Sequence, residues 1–379
     1  MEGECKMVKD DKKYAEILYK IEKVRKIIKE EKLSGVLLSQ QYNICWLTAG
    51  ANNHVLWDDQ NSLIGILITK DKEIVLAENG DYSRIQDEEF FNYPFEYIKI
   101  PWYGPGLSVE VKKVVKGKIG VDTSLPGVKD QINIDGMLSD YRAVLTDSEI
   151  ERLRKHGKKA AELQTKVAKN TRPGIKESEI AAMLSKEFVE NGFNVAVILI
   201  GGDNRSLNYR HQVVTDYKIK KHYCFVGVGK KGGFNYPICR AISFGEPPEE
   251  LKMNNDKIET VYVYLNSLAK IGVNLKEIFN KLPEIYSSVG LDKDEWKNHT
   301  QGGTTGYLPR EKIISEDVDY ILREDNVIGW NPSLPGVMAE DVYLLKKDGL
   351  EYVTYDSNWP YQEISINGLT QKRPEILVI

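Results

Sequence analysis

Between Thr146 and Gly192 the chain carries two helix signals with defined ends, and no other stretch constrains its architecture as much. Thr146-Asp-Ser-Glu149 has capping-box spacing, in which the Thr and the Glu three residues on satisfy each other's free backbone N–H groups. It predicts a long helix to about Asn170, which Arg172-Pro-Gly174 ends. A second helix is predicted over about 177–190, closed by Asn191-Gly192, a pair that readily takes the left-handed conformation found at helix ends. The patterning differs on the two sides of this pair. Before it, Ile17, Leu18, Ile21, Val24 and Ile28 recur at helical spacing over 14–32. Strands are predicted at 35–39, at 63–68 and 73–77 as a hairpin through Thr69-Lys-Asp-Lys72, and at 118–122. This alternation predicts a small α/β domain, with a boundary between Pro126 and Asp147. After the helix pair come strands at 195–200, 223–228 and 234–244 and helices at 248–269 and 275–288. Further strands at 337–346 and 350–355 are joined by Lys347-Asp-Gly349. Helices and strands are partly segregated there, which predicts an α+β domain.

Length and charge narrow the function. With 379 residues the chain has room for two cores, and 41% hydrophobic with 28% charged residues is ordinary for a folded soluble protein. Lys and Arg total 52 against 56 Asp and Glu, a net charge of −4, so the basic excess of a nucleic-acid binder is missing. Residues 1–13 are polar and charged and lack the apolar centre of a signal peptide. Apolar runs such as 195–200 are far shorter than a membrane span. Four scattered cysteines, Cys5, Cys45, Cys224 and Cys239, form no C-x-x-C pair, and the five histidines show no H-x-x-x-H spacing. A zinc site and a disulfide scaffold are both poorly supported, and the expectation is a cytoplasmic protein with no nucleic-acid or membrane partner.

Three polar islands remain. The first is Asn208-Tyr-Arg-His211, just after Gly201-Gly202. The second is His299-Thr-Gln-Gly-Gly-Thr-Thr-Gly-Tyr307 followed by Pro309-Arg310-Glu311. The third is Trp330-Asn-Pro-Ser-Leu-Pro-Gly336 followed by Glu340-Asp341. Each has a plain reading: a surface or core histidine, a tight glycine turn, and an edge-strand charge pair with one side chain in and one out. Gly227-x-Gly229-x-x-Gly232 matches a dinucleotide fingerprint in letters but sits in a predicted hairpin, not between a strand and a helix. The G-x-S-x-G nucleophile elbow is absent, and Cys224 and Cys239 read as small apolar fillers.

In order and spacing these residues resemble the creatinase, prolidase and aminopeptidase P superfamily, the pita-bread fold. The resemblance runs from the N-terminal α/β region through 147–174 to the closing Lys347-Asp-Gly-Leu-Glu-Tyr-Val-Thr354. It implies an α/β N-terminal domain over 1–135, an α+β pita-bread domain over 146–379, and a homodimer. Metallopeptidases of the superfamily hold two divalent metals through two Asp, one His and two Glu. Those positions fall here on Gly227, Pro237, Gly303 and Asn331, and only the last is matched, by Glu340. Gly and Pro offer no side-chain donor, so neither a metal nor another cofactor is expected. His211 matches the histidine that contacts substrate in the peptidases and resembles the acid/base of creatinase, the metal-free amidinohydrolase of this fold. Arg310 falls where the peptidases place a second His, and Glu311 is retained.

The resemblance thus implies a metal-independent hydrolase of a C–N bond in a small amidine, amide or cyclic ureido substrate. His211 would move protons and Glu340 would orient an N–H-rich group. Arg310 would clamp a carboxylate, while Glu311, His299, Gln301, Asn208, Asn331 and Tyr307 would line the site. Gly227 and Gly303 would leave room where metals sit in relatives. The aromatic content allows an apolar pocket wall, with Trp330 and Tyr307 as candidates, and either fits a core equally well. Two alternatives stand beside it. One is a non-catalytic pseudo-peptidase that binds a peptide or small ligand. The other is an Xaa-Pro metallopeptidase whose ligands are residues not matched above.

Overall fold

The computed structural model describes residues 9–57 and 59–379; Cys5 and residues 1–8 of the polar N-terminal stretch lie outside them. The chain divides into two units, one reaching to Glu149 and one spanning Ile150–Ile379.

In the first unit, Asp10 caps the helix Asp11–Glu30 by accepting from the backbone N–H groups of Lys12 and Lys13. Its buried face carries Ile17, Ile21, Val24, Ile27 and Ile28, but Leu18 points outward. A buried ion cluster takes part of the inward face instead. Lys20 Nζ donates to Glu16 Oε1 and Glu149 Oε1, both at 2.6 Å, and to the carbonyl of Trp46 at 2.8 Å. Full pairing is what makes a buried ammonium tolerable. The sheet has six strands in the order Glu96–Ile100, Glu73–Glu78, Asn61–Ile68, Gly35–Gln40, Ile119–Val121 and Gln131–Asn133. The hairpin pairs antiparallel, whereas Gly35–Gln40 and Ile119–Val121 run parallel.

The second unit begins along the helix Asp147–Lys169, followed by Glu177–Glu190. Both helices cover one face of a four-stranded sheet ordered Leu377–Val378, Phe234–Ser243, His222–Lys231, Asn194–Gly202. Gly227 marks that face, because a Cβ there would strike Gln164 and Leu184 of the two helices. The opposite face presents Cys224, Val226, Val228 and Cys239, with Val197 and Leu199 half-buried beside them. A second sheet, ordered Lys312–Ile313, Gly302–Thr304, Val327–Trp330, Tyr343–Lys346, Gly349–Tyr352, completes the unit with the helix Glu249–Leu268 and two short hairpins.

Two predicted elements are broken in two. The helix expected at 275–288 is Leu275–Asn280 and Leu282–Ser288, because Pro283 has no N–H to continue the first helix and fits only the opening turn of the second. The strand expected at 337–346 is Val337–Met338, paired with Ser333–Leu334, and Tyr343–Lys346, paired in the larger sheet. Between them, Glu340 and Asp341 both turn inward, so the in-and-out charge pair of a continuous strand does not form.

Candidate functional site

His211 is placed by the pair of glycines before it. A side chain at Gly201 would collide with Gln212, so the loop after the short helix Asn204–Asn208 folds back onto the strand. There the Gln212 carbonyl accepts from the Ile200 N–H at 2.9 Å. Arg210 ties this loop to the turn that carries His299. Its Nη2 donates to Glu295 Oε1 at 2.6 Å and its Nη1 to Ser333 Oγ at 3.3 Å. Glu295–Asn298 is a single 3₁₀ turn ending at His299. Arg210 was not among the predicted site residues, although its position beside His211 was a usable signal. Glu295 had none.

The result is a histidine pair from positions 88 apart in sequence, with His211 Nε2 and His299 Nε2 at 3.1 Å. His299 Nδ1 lies 3.0 Å from the Asn331 carbonyl. A carbonyl only accepts, so Nδ1 of His299 carries the proton and its Nε2 is the acceptor. The proton between the two rings therefore belongs to His211 Nε2. Burial, with His211, Arg210 and Arg310 nearby, holds the His299 pKa down to about 4, which keeps its Nε2 lone pair available. His211 itself is exposed.

The third island supplies the charge. Arg310 Nη2 donates to Glu340 Oε1 at 2.5 Å while its Nη1 holds the Pro309 carbonyl at 2.8 Å. Glu340 is buried, which pushes its carboxyl pKa up against the opposing pull of Arg310. Glu340 also lies within electrostatic reach of His211. Four predicted residues, His211, His299, Arg310 and Glu340, thus come together, with Asn331 completing the wall. The buried Asn331 Oδ1 has no hydrogen-bond partner.

The remaining predictions are corrected. Tyr307 is 1% exposed and packs on Phe234 with ring centres 4.7 Å apart, so it belongs to the core. Trp330 is fully buried, with its indole N–H on Asn266 Oδ1 at 2.9 Å. Gln301 spends its amide on the fold, accepting from Tyr286 OH and donating to the carbonyls of Trp296 and His299, and so braces the turn before His299. Glu311 accepts from the Leu308 N–H and holds the Gly306–Arg310 turn. Asn208 is exposed and takes part in none of the site's hydrogen bonds.

Neither glycine leaves the expected room. Gly227 faces the helices, and the opposite side of that strand carries the buried Val226 and Val228. Gly303, at φ +151°, would drive a Cβ into the Lys312 carbonyl. Val226, Pro237, Gly303 and Asn331 provide no anionic or imidazole donor, and Glu340 is already paired with a guanidinium. These residues do not fit a centre of two hard divalent metals. Among the described residues, no group of three or more His, Cys, Asp and Glu side chains is arranged to hold a metal ion. No helix among them is long and apolar enough to cross a membrane.

Comparison with known proteins agrees with this architecture. Residues 20–156 match the creatinase/prolidase N-terminal domain, and residues 151–350, more than half of the chain, match metallopeptidase family M24. An Xaa-Pro dipeptidase of Pyrococcus horikoshii is 24% identical over 362 residues, covering 88% of this chain and 97% of that protein. The crystal structure of the prolidase from Pyrococcus horikoshii superposes with a TM-score of 0.75 at 22% identity, over 89% of this chain and 98% of the other. The X-Pro aminopeptidase of Thermotoga maritima gives 0.74 at 20% identity, over 95% and 99%. The chain belongs to metallopeptidase family M24, within the creatinase, prolidase and aminopeptidase P superfamily.

Proposed function

We propose that the chain hydrolyses a C–N bond in a short peptide of the Xaa-Pro type, using the histidine pair and Arg310 in place of a metal pair. The names of its relatives favour a peptide over the amidine or cyclic ureido substrates of the creatinase comparison. The observation that carries the reading is the relay from His211 through His299 to the Asn331 carbonyl. It orients a base by a second group and that group by a third, the logic of activated-nucleophile sites. His211 Nδ1, in no hydrogen bond among the described residues, takes a proton from water as the oxygen adds to the amide carbon. Its Nε2–H stays on His299. Arg310, held by Glu340, supplies fixed positive charge to the carbonyl oxygen as it becomes anionic. Collapse of the adduct breaks the C–N bond, and His211 returns its proton to the leaving nitrogen. A cytoplasmic homodimer is part of the same reading, and sedimentation of the purified chain tests the dimer.

The test is turnover of an Xaa-Pro dipeptide panel, followed by mass spectrometry, with chelator and with added Mn(II) or Co(II). The reading expects turnover that chelator leaves unchanged and that His211→Ala lowers by roughly 10²–10⁴-fold. Turnover that appears only with added metal overturns it in favour of an Xaa-Pro metallopeptidase with other ligands. Dipeptides that raise the melting temperature without being cleaved favour the pseudo-peptidase.

A further inference from the structure

His211 stands on a loop, and among the described residues its side chain is held by one hydrogen bond, to His299. Its position is therefore set by the backbone beneath it. Exposure alternates along this stretch: Tyr209, His211 and Val213 are exposed, whereas Arg210 is half-buried and Gln212 is buried. That period of two turns the anchoring side chains towards the fold and the imidazole outward. We propose that Glu177 is a positioning residue for His211: its carboxylate clamps both arms of the loop and so sets the imidazole against His299.

Glu177 is the first residue of the helix Glu177–Glu190 and is fully buried. A buried carboxylate is tolerated only when its oxygens are satisfied. The donors that satisfy this one all come from the two arms of the His211 loop. On the outgoing arm, Oε1 accepts from the Gly202 N–H at 3.0 Å and from Arg205 Nε at 2.9 Å. On the returning arm, Oε2 accepts from the Thr215 N–H at 3.0 Å and from Thr215 Oγ1 at 2.7 Å. Two carboxylate oxygens offer about four lone-pair sites, so the group is filled by these bonds. Arg205 carries the grip further, because its Nη2 donates to the Val213 carbonyl at 2.7 Å, just past His211. Asp203 closes the base of the same loop. It accepts from the N–H groups of Lys220, Lys221 and His222 at 2.9, 2.8 and 3.2 Å, and from Tyr217 OH at 3.1 Å. Of the two carboxylates, Glu177 is the one whose bonds extend, through Arg205, to the backbone beside the histidine. A shift of about 1 Å at a reacting group can cost about 10²-fold in rate, so bracing of this kind bears on catalysis. The role rests on the hydrolytic reading of the histidine pair, but the placement of His211 can be measured without turnover.

The experiment compares the full chain with Glu177→Gln. Glutamine keeps the volume but replaces one acceptor oxygen by an NH₂ donor, so one arm of the loop loses its partner. Two readouts need no substrate. Hydrogen exchange followed by mass spectrometry should quicken about tenfold over residues 203–217 and stay unchanged over 234–243. Ring-nitrogen NMR of isotope-labelled histidine, assigned with His211→Gln, should show His211 as the Nε2–H tautomer in the wild type and as a tautomer average in the variant. With a dipeptide that the wild type cleaves, kcat should fall by about 10–10²-fold while KM moves by less than about threefold. Thr215→Val should give the same changes in smaller measure, and add little when combined with Glu177→Gln. A folded Glu177→Gln with wild-type exchange and wild-type His211 ring signals overturns the proposal. So does faster exchange with an unaltered His211 tautomer, since Glu177 would then serve the loop alone. If Glu177→Gln does not fold, Thr215→Val decides by the same readouts. If the wild type cleaves no dipeptide, the hydrolytic reading falls, and the exchange and tautomer results still decide whether Glu177 places His211.

Discussion

A half-buried histidine with cations beside it stays neutral, as His156 and His299 do. His156 is held down to about 4 by burial and then by Lys231, Lys155 and Arg152, as His299 is by burial and then His211. In the unfolded chain both titrate near about 6.5, so between that value and about 4 the unfolded state binds protons that the folded state refuses. Their contribution to stability is complete above about pH 6.5 and falls as the pH drops towards 4. The melting temperature should decrease across that window, and His156→Gln should flatten the decrease in a buffer series. At this scale the sequence was partly legible. His211, Arg310 and Glu340 stood out because polar residues interrupt apolar strands at family spacing. The partnership of His211 with His299 was not legible, since a contact across 88 residues leaves no local trace. For Tyr307 and Trp330 the sequence leaves pocket wall and core equally open, because an aromatic ring looks the same in both.

Elements with chemical ends were the readable ones. Caps and stop signals located Asp147–Lys169 and Glu177–Glu190 closely, because unsatisfied backbone groups demand particular residues there. The hairpin of Tyr361–Ile366 and Leu369–Pro374 was missed despite its Asn367-Gly368 turn, where both residues have positive φ, the signature of a two-residue hairpin loop. The strand Gly302–Thr304 was hidden for another reason: two glycines and a threonine carry no strand pattern. What makes it a strand is backbone pairing on both sides, with Gly303 opposite both Ile313 and Gly329. Gly303→Ala should therefore cost about 1–3 kcal/mol or more, read as a lower urea midpoint, since it combines a strained φ with a collision.

For the molecule as a whole, the chain is a homologue of hydrolases that act on C–N bonds, yet its second unit is tied together by buried charges away from the histidine pair. Arg373 Nε donates to Glu259 Oε2 at 2.6 Å and Nη1 to Tyr343 OH at 3.0 Å, while Nη2 lies 3.1 Å from Asp341 Oδ2. Asp341 also accepts from Arg240 Nη2 at 2.9 Å and from Thr354 Oγ1 at 2.9 Å. Burial raises the Glu259 pKa to about 7 even with Arg373 beside it. Arg373→Leu leaves the buried Glu259 carboxylate without its counter-charge and Asp341 with Arg240 alone, and should cost about 3–5 kcal/mol in chemical denaturation, partly restored by adding Glu259→Gln. Metal linkage gives a second whole-molecule prediction. A ligand that binds only the folded state raises the melting temperature, so millimolar Mn(II) should leave the transition of this chain unmoved. A rise of several degrees would mean that a hard-metal site exists after all.

Gly303 also bears on the history of the site. In a chain whose metal histidine had merely mutated, the reverse substitution would restore a ligand. Here the strand Lys312–Ile313 lies against the position, and Gly303→His meets the Lys312 backbone. A donor at this one position would also be insufficient, because Val226, Pro237 and Asn331 supply none either. Anyone rebuilding a metal centre on this scaffold must first move the strand Lys312–Ile313 and only then choose ligands.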